Sequence, residues 1–313
     1  MNTSLKYMAA MALSAALVAC GGDEDSLPNV LQVANADGFT ALSTAVTKAG
    51  LTAALSNPDA NVTVFAPTDA AFGSLATQLG FTNAAAMVDA LPPAALADIL
   101  TYHVLPTRKD AAKLASDGPT EATLYNFGGN ATTLRLATSG GVSITDADLT
   151  TAHVEKADIG ASNGVIHVVD KVLVPPGVLN IAQMAQANSS FTTLVSALTT
   201  ANLKGTLSGA GPFTVFAPTN DAFAAISSTV AGLSTAQLTT VLTYHVIDHQ
   251  VLAADIPFGT PIATVSGQDI TINAGSPPSI TDTTPTAASI IATDVRASNG
   301  VIHVIGKVLI PAL

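Results

Sequence analysis

Charge and tryptophan are scarce in this sequence: charged residues make up 11% of its 313 residues, and tryptophan is absent. The 11 basic residues are scattered, and Arg108-Lys109 is the one adjacent pair. A nucleic-acid binder needs a basic stripe to neutralise phosphates, so that class of protein is disfavoured. The net charge of -11 offers no general attraction to anionic lipid head groups, and it favours solubility.

Cysteine is nearly absent as well, because Cys20 is the single one and no internal disulfide can form. It follows an apolar run at residues 8–18, which comes after Lys6 and is too short to span a membrane. The sequence LVAC at 17–20 resembles a bacterial lipobox, in which the cysteine is lipidated. We therefore expect residues 1–19 to be a signal peptide and Cys20 to carry a lipid.

The residues after Cys20 predict where the protein resides. Residues 20–26 form a tether that reaches only about 25 Å when extended, so the first domain stays near the membrane. Gly21 follows the cysteine in place of Asp. By resemblance to lipoprotein sorting in Gram-negative bacteria, Gly21 favours the outer membrane. The expected location is the cell envelope, on its periplasmic or surface face.

Three sequence blocks occur twice in the same order. VFAPTDAAF at 64–72 returns as VFAPTNDAF at 215–223, LTYHV at 100–104 returns at 242–246, and ASNGVIHV at 161–168 returns at 297–304. The chain therefore contains two copies of one module, at 27–175 and 178–313, and the first copy carries the longer connections. A short Pro175-Pro176-Gly177 link joins them and predicts limited freedom between the two domains.

Hydrophobic periodicity indicates an α+β module. Apolar residues spaced three and four apart predict amphipathic helices at 39–46 and 96–100. Short β-branched runs at 62–65 and 165–169 are apolar on both faces, which is typical of buried strands. Ser266-Gly267 lies between two strand-like runs and predicts a hairpin.

The repeated blocks resemble the fasciclin family in both copies, and the resemblance covers essentially everything after residue 27. It implies two tandem domains, each a wedge-like β-sandwich with packed helices. It also implies a role in adhesion or extracellular binding, without catalysis.

Four histidines occupy equivalent places in the two copies: His103 with His245, and His167 with His303. One interpretation is a metal site in each domain, and the other is a hydrogen-bonded core histidine. No repeated acidic residue or cysteine lies near enough in sequence to complete a ligand set, and the strand around His167 is apolar. We therefore favour core histidines, and we expect no metal and no cofactor.

Two other motifs resemble functional sites but lack part of the pattern that those sites need. Residues 160–164 match the G-x-S-x-G pattern of a nucleophile elbow, but a strand follows where that motif needs a helix. Asn163-Gly164 is better explained as a turn in which Gly supplies a positive φ. Asp146 and Asp148 resemble half of a calcium loop, but no ladder of acidic residues follows, so we expect a solvated turn.

The family resemblance suggests two candidate partner-binding segments in each domain. One is an Asp followed by an aliphatic residue just before the Asn-Gly block, and the other is the Tyr-His pair. The alternative is that the Asp caps a turn and the aliphatic residue packs beneath it, and we favour this alternative. The candidate residues are Asp158, Ile159, Asp294, Val295, Tyr102, His103, Tyr244 and His245.

The leading functional hypothesis is a membrane-anchored adhesion or interaction protein. Its partner would be an envelope or extracellular protein, a polysaccharide or a like module on another cell. The runner-up is an envelope protein that binds a small apolar or pigment-like ligand, for which a pocket is the supporting feature. A hydrolase of surface polymers would need an activated nucleophile or paired carboxylates, and the sequence contains no such arrangement.

Overall fold

The computed structural model describes residues 27–36 and 38–313, and this part of the chain forms two domains of the same architecture. The predicted signal peptide, the tether and Cys20 lie outside the described residues. The helices of the first domain are α1 Val30–Ala36, α2 Thr40–Lys48, α3 Thr52–Leu55, α4 Asp69–Gln78, α5 Ala84–Ala90, α6 Pro93–Tyr102 and α7 Ala111–Ser116. Its strands are β1 Val62–Pro67, β2 Val104–Leu105, β3 Thr120–Phe127, β4 Asn130–Ala137, β5 Ser143–Thr145, β6 Thr151–Ala161 and β7 Gly164–Val169.

The second domain repeats this order, and several of its elements are shorter. Its α-helices are α8 Ile181–Ala187, α9 Thr192–Thr200, α10 Lys204–Leu207, α11 Asn220–Ala224, α12 Ser227–Ala231 and α13 Thr235–Tyr244. Two short 3-10 helices cover Ser189–Phe191 and Ala253–Asp255. Its strands are β8 Phe213–Pro218, β9 Val246–Ile247, β10 Pro261–Ala263, β11 Asp269–Asn273, β12 Ser279–Thr281, β13 Ala288–Ala297 and β14 Gly300–Ile305.

Each domain contains a seven-stranded sheet with helices packed on one side. The strand order is β2-β1-β7-β6-β5-β4-β3 in the first domain and β10-β11-β12-β13-β14-β8-β9 in the second. In the first domain the edge strands β2 and β3 lie side by side, so the sheet is nearly closed. The α+β class and the predicted hairpin at Ser266-Gly267, between β10 and β11, are confirmed.

The central strand pair explains why two segments of the sequence are apolar on both faces. Strand β1 runs parallel to β7, and β8 runs parallel to β14. Val64 and Ile166 face the helices, whereas Phe65 and Val169 face the inside of the curved sheet. Because both faces are covered, these strands lack the polar alternation of a half-exposed strand.

The sequences PTD at 67–69 and PTN at 218–220 lie where β1 and β8 end. Each begins one helix and hydrogen-bonds to the start of another. Thr68 Oγ1 accepts a hydrogen bond from Ala71 N–H at 3.1 Å, which caps helix α4. The carboxylate of Asp69 accepts from Ala41 N–H at 2.7 Å, so it also caps helix α2. Asn220 does the same in the second domain by accepting from Thr193 N–H at 2.9 Å. An acid or amide at this position therefore fastens two helices together.

The length difference between the copies lies in two places. Helices α4 and α5 have 10 and 7 residues, where α11 and α12 have 5 each. Strands β3 and β4 have 8 residues each, where β10 and β11 have 3 and 5. The first domain therefore extends a longer hairpin from its sheet, with Phe127 at its tip.

This hairpin helps to join the domains. Gly177 N–H donates to the Arg296 carbonyl at 2.9 Å, and the Arg296 guanidinium lies 5.6 Å from the centre of the Phe127 ring. On the helical side, Asn188 Nδ2 donates to the carbonyl of Asp148 at 2.7 Å. The apolar core on the helical side also continues from one domain to the other. These contacts give a physical basis for the limited freedom expected from the short link.

Across the described residues, no single helix has both the length and the apolar character needed to cross a membrane. Taken together, α5 and α6 have the required length and apolar composition, but the two helices are bent by 117° where they meet.

Candidate functional site

Each domain buries the histidine of its Tyr-His pair at the C-terminal end of a helix. Nε2 of His103 accepts from Leu173 N–H at 2.8 Å, so Nδ1 carries the proton and donates to the Ile99 carbonyl at 2.7 Å. In the second domain His245 makes the same two bonds, with Leu309 N–H and the Val241 carbonyl. The ring thus ties the end of helix α6 or α13 to the segment that leaves the last strand.

Burial lowers the pKa of both imidazoles to about 4, and the hydrogen bond from each Nδ1–H to a carbonyl opposes this shift. His103 and His245 are each 2% exposed, and both are neutral at ordinary pH. A neutral ring with both nitrogens engaged has no free lone pair for a metal and no proton-accepting atom for catalysis. The arrangement fits the core interpretation.

The tyrosine of the pair lies inside the curved sheet. Tyr102 donates its hydroxyl to the Thr133 carbonyl at 3.3 Å, and Tyr244 donates to the Asp269 carbonyl at 2.9 Å. Both rings are essentially fully buried. A partner at this segment would therefore touch neighbouring surface, and the Tyr and His side chains would act by positioning it.

Asp158 and Asp294 occupy identical positions in a bulge of the strand before the Asn-Gly block. Their φ angles are 62° and 59°, a left-handed conformation that Asp tolerates better than most residues. Asp158 Oδ1 accepts from Ala111 N–H at 2.8 Å, and Asp294 Oδ1 accepts from Ala253 N–H at 2.9 Å. Each carboxylate thus holds the loop that follows the Tyr-His segment.

The second histidine pair lies directly beneath these aspartates. Nδ1 of His167 accepts from Asp158 N–H at 3.3 Å, and its Nε2–H donates to the Lys109 carbonyl at 2.9 Å. His303 makes the equivalent bonds with Asp294 N–H and the Val251 carbonyl. Both rings are buried, and burial lowers the pKa of His303. The Asp bulge, the core His and the loop form one unit in each domain, hereafter the Asp–His clamp.

A threonine that sequence reasoning missed completes the clamp. Thr63 Oγ1 accepts from Lys109 N–H at 2.8 Å and donates to the Thr107 carbonyl at 2.7 Å. Thr214 does the same for Val251 and His249. The signal was present in the sequence, because a polar residue recurs at the same buried strand position in both copies.

The two clamps differ in exposure. The Asp158 side chain is 49% exposed and Ile159 is half-buried, whereas Asp294 is half-buried and Val295 is 4% exposed. The aliphatic residue therefore packs beneath the bulge, as the favoured alternative expected.

The residue after the aliphatic position sets a further difference between the two clamps. In the first domain Gly160 leaves space that Arg108 approaches, and the Arg108 guanidinium donates to the Ala161 carbonyl at 3.0 Å. In the second domain Arg296 is directed to Phe127 across the junction. The first clamp is consequently the more accessible of the two.

The Asn-Gly block has a different basis from the one predicted. A Cβ on Gly164 would lie 2.4 Å from the Val62 carbonyl oxygen, and one on Gly300 would lie 2.1 Å from the Phe213 carbonyl oxygen. The φ of Gly164 is not positive, so the prediction of a positive φ is wrong there. Close approach of two parallel strands is what requires glycine. The motif is followed by strand β7, so the nucleophile-elbow geometry does not arise.

Asn163 and Asn299 fasten the first helix of each domain to the sheet. Asn163 Oδ1 accepts from Val30 N–H at 2.9 Å, and its Nδ2 donates to the carbonyls of Leu55 and Asn57. Asn299 makes the three equivalent bonds in the second domain. The Asn of this block therefore has a structural role, because its side chain holds the first helix of the domain against the sheet.

Asp146 and Asp148 are buried, at 5% and 1% exposure, so the prediction of a solvated turn is wrong. Asp146 accepts hydrogen bonds from Thr150 N–H and from Val174 N–H, each at 2.9 Å. Burial raises the pKa of both carboxyls, and the nearby Asp146 charge raises that of Asp148 further. Asp146 thus secures the turn and the segment that leaves β7. Within residues 27–36 and 38–313, no cluster of three His, Cys, Asp or Glu side chains is placed to hold a metal.

Comparison with known proteins gives a consistent result. A family model described as the fasciclin domain matches the chain twice, over residues 37–175 and 189–311. Protein sll1483 of Synechocystis sp. is 41% identical over 140 residues, which covers 43% of this chain and 75% of that protein. The transforming growth factor-beta-induced protein ig-h3 of Sus scrofa is 31% identical over 163 residues, which covers 51% of this chain and 23% of that protein. A solved FAS1 domain pair from the insect cell adhesion molecule Fasciclin I has a TM-score of 0.44 and 16% identity, and it covers 90% of this chain and 95% of that one.

Proposed function

The chain belongs to the fasciclin domain family, and on that premise we propose that it is an exported, non-enzymatic interaction protein of the cell envelope. Fasciclin domains are adhesion and interaction modules. The partner we propose is an envelope or extracellular protein or a polysaccharide. Two linked domains raise avidity for a partner with repeated sites, because the second contact becomes intramolecular.

The observation that carries the proposal is the repeated Asp–His clamp. It places a rigid, partly exposed carboxylate at the same position in both domains, beside a loop that is fixed by backbone hydrogen bonds. A fixed loop next to a charged group suits recognition, because little conformational freedom is lost when a partner binds. The greater exposure of Asp158 favours the first domain as the principal contact.

Three features favour binding over catalysis. The four core histidines use both ring nitrogens for hydrogen bonds within the fold. The serine of the elbow-like sequence, Ser162, precedes a strand, so its hydroxyl lacks the setting of an activated nucleophile. The buried carboxyl of Asp146 is occupied by backbone N–H groups.

Anchoring through Cys20 is the second part of the proposal. The lone cysteine at the end of a short apolar run fits a lipidated N-terminus. Each buried CH₂ of an acyl chain stabilises membrane residence by about 0.8 kcal/mol, so two chains hold the protein firmly. The short tether then keeps the first domain close to the membrane, with the outer membrane as the expected site.

The interaction role is tested with labelled protein carrying Cys20→Ser, added to cells of the producing strain that lack the gene. We expect saturable binding that weakens in Asp158→Asn. Asn keeps the acceptor for Ala111 N–H and tolerates a positive φ, so this change removes charge alone. Asp59→Asn, an exposed acid outside the clamp, is the matched control. Binding that is absent, or equal in wild type and in both variants, would sink this assignment.

A further inference from the structure

The first domain contains an apolar cavity of about 90 Å³ between its N-terminal helices and the sheet. Helices α1, α2 and α3 form one wall, and strands β1 and β7 with the end of α6 form the other. It lies on the helical face of the β1–β7 pair, the face opposite to His167 of the Asp–His clamp. Residues that line it include Val46, Leu55, Val62, Leu100, Leu124 and Ile166.

The few polar side chains in this wall have their hydrogen bonds satisfied elsewhere. Ser43 donates its hydroxyl to Asn35 Oδ1 at 2.6 Å, and Thr101 donates to the Ala97 carbonyl at 2.8 Å. Both nitrogens of His103 are bonded to backbone groups. Water in a cavity needs two to four polar partners, so this one is suited to an apolar occupant.

The second domain shows how the same fold closes this space. Its equivalent region is divided into two small voids of about 20 and 40 Å³. At three matching positions the second domain has the larger residue. Leu198 stands where the first domain has Val46, Phe213 stands where it has Val62, and Thr206 stands where it has Ala54. Smaller side chains at these three positions, on α2, α3 and β1, therefore leave the cavity open in the first domain.

From these observations we infer that the cavity binds the end of one unbranched hydrocarbon chain, such as the acyl chain of a fatty acid or lipid. A dry cavity of about 150 Å³ takes up benzene, so 90 Å³ calls for a slimmer group. Apolar residues mark the mouth: Leu124 is 43% exposed, and Ala54 beside it is also exposed. The hydrocarbon chain enters end-on at this mouth, and the polar head group of the ligand stays in solvent. This site is separate from the Asp–His clamp and does not depend on the proposed interaction role.

The test uses full-length protein with Cys20→Ser, so that no lipid of its own competes for the cavity. The probe is cis-parinaric acid, a fatty acid whose fluorescence rises when its chain leaves water, and decan-1-ol is the competitor. We expect saturable binding of one chain per protein, with displacement by decan-1-ol. Cys20→Ser protein that leaves the fluorescence of the probe unchanged overturns the inference.

Matched variants within the chain locate the site. Val46→Leu with Val62→Phe installs the residues of the second domain and should weaken binding at least about tenfold, because losing the burial of two methylenes corresponds to that factor. Leu198→Val with Phe213→Val opens the second domain and should add a second binding site. The assignment is overturned if two results occur together. The filled protein, which carries Val46→Leu and Val62→Phe, binds the probe as the unfilled protein does, and the opened protein, which carries Leu198→Val and Phe213→Val, gains no second binding site.

Folding of the filled protein is checked by cooperative thermal unfolding. If it does not fold, Ala54→Thr takes its place, since that change narrows the mouth by one small group. Probe binding by the Leu198→Val, Phe213→Val protein remains an independent measurement, because this variant should gain a binding site whereas the filled protein should lose one.

Discussion

Acidification should unfold the second domain before the first. A histidine whose pKa is lower in the folded than in the unfolded state stabilises the fold when neutral, and this stabilisation is lost as the pH falls from about 6.5 through 4. His245 and His103 both act this way, with folded pKa values of about 4. The acids that accompany them differ between the domains, and they decide which domain fails first.

In the second domain the other His and Asp side chains with a shifted pKa act in the same direction as His245. Burial lowers the pKa of His303. Burial alone raises the pKa of Asp282, but hydrogen bonds from Lys307, Thr284 and Ile310 N–H outweigh it and lower the pKa overall. A carboxyl with a lowered folded pKa also loses its stabilising effect as the pH falls.

In the first domain buried acids oppose the histidine. Burial raises the pKa of Asp146 and Asp148, so the folded state binds protons more readily than the unfolded state does. Acid therefore stabilises the fold at these two positions and offsets part of the loss at His103.

The magnitude follows from the shift of each histidine. A change from 6.5 to about 4 corresponds to about 3 kcal/mol once the pH lies below both values, and to about 2 kcal/mol near pH 5. A loss of this size is a large share of the 5–15 kcal/mol that typically stabilises a domain. The loss of stability should therefore be detectable at a pH well above the midpoint of acid unfolding.

Hydrogen exchange followed by mass spectrometry on the full chain, near pH 7 and near pH 5, resolves the domains. Rates are corrected for the intrinsic pH dependence of exchange, and protection in α13 and β14 should fall more than in α6 and β7. His245→Gln should flatten the pH dependence of the second domain. His249→Gln changes a side chain that is 58% exposed and should leave it unaltered. Equal loss in both domains, or earlier loss in the first, would refute this reasoning.

Three further predictions concern the Asn-Gly block and the junction between the domains. Gly164→Ala should destabilise the first domain by more than about 3 kcal/mol in guanidinium unfolding, because the new Cβ meets a backbone oxygen at 2.4 Å; an unchanged midpoint would contradict the parallel-strand contact. Asn163→Ala should cost about 3 kcal/mol by removing three hydrogen bonds, whereas Asn163→Asp keeps the acceptor and should cost less by the same assay. Gly177→Ala should loosen the junction, because φ is 78° and the Cβ would lie 2.1 Å from the Phe127 ring. Small-angle scattering should show a larger radius of gyration, and an identical scattering profile would argue against the junction described here.

Local patterns in the sequence predicted the elements that periodicity controls. The apolar spacing at 39–46 predicts the helix that begins at Thr40, and the spacing at 96–100 predicts a helix that lies within α6. The strands at Val62 and Val165 appeared as apolar runs because both of their faces are covered. In each case neighbours in the sequence carry the information, so composition and spacing suffice.

Contacts between distant residues were beyond those patterns. The parallel pairing of β1 with β7 brings Val62 next to Gly164, and this contact explains the glycine better than a turn does. Asp146 looked like a surface residue because acids usually are, yet four hydrogen-bonded groups around it support its burial.

The family resemblance, and no pattern within the sequence, suggests the segments that contain Asp158 and Tyr102. The fold shows that the Asp158 side chain is accessible and that the Tyr102 side chain is enclosed. The left-handed bulge at Asp158 depends on His167 and Ala111, which are far from each other in sequence. The apolar cavity depends on differences in side-chain size between the copies, such as Val62 against Phe213, and these become meaningful once the walls are known.

Protease shaving of intact cells, with wild type compared against Cys20→Ser, tests the central claim most directly. An anchored interaction protein at the surface predicts that wild type is cleaved from whole cells, while Cys20→Ser is recovered unattached to the envelope. Wild type that resists protease until the outer membrane is opened would contradict cell-surface adhesion and confine the interaction to the periplasm. Equal membrane association of both proteins would contradict anchoring through Cys20.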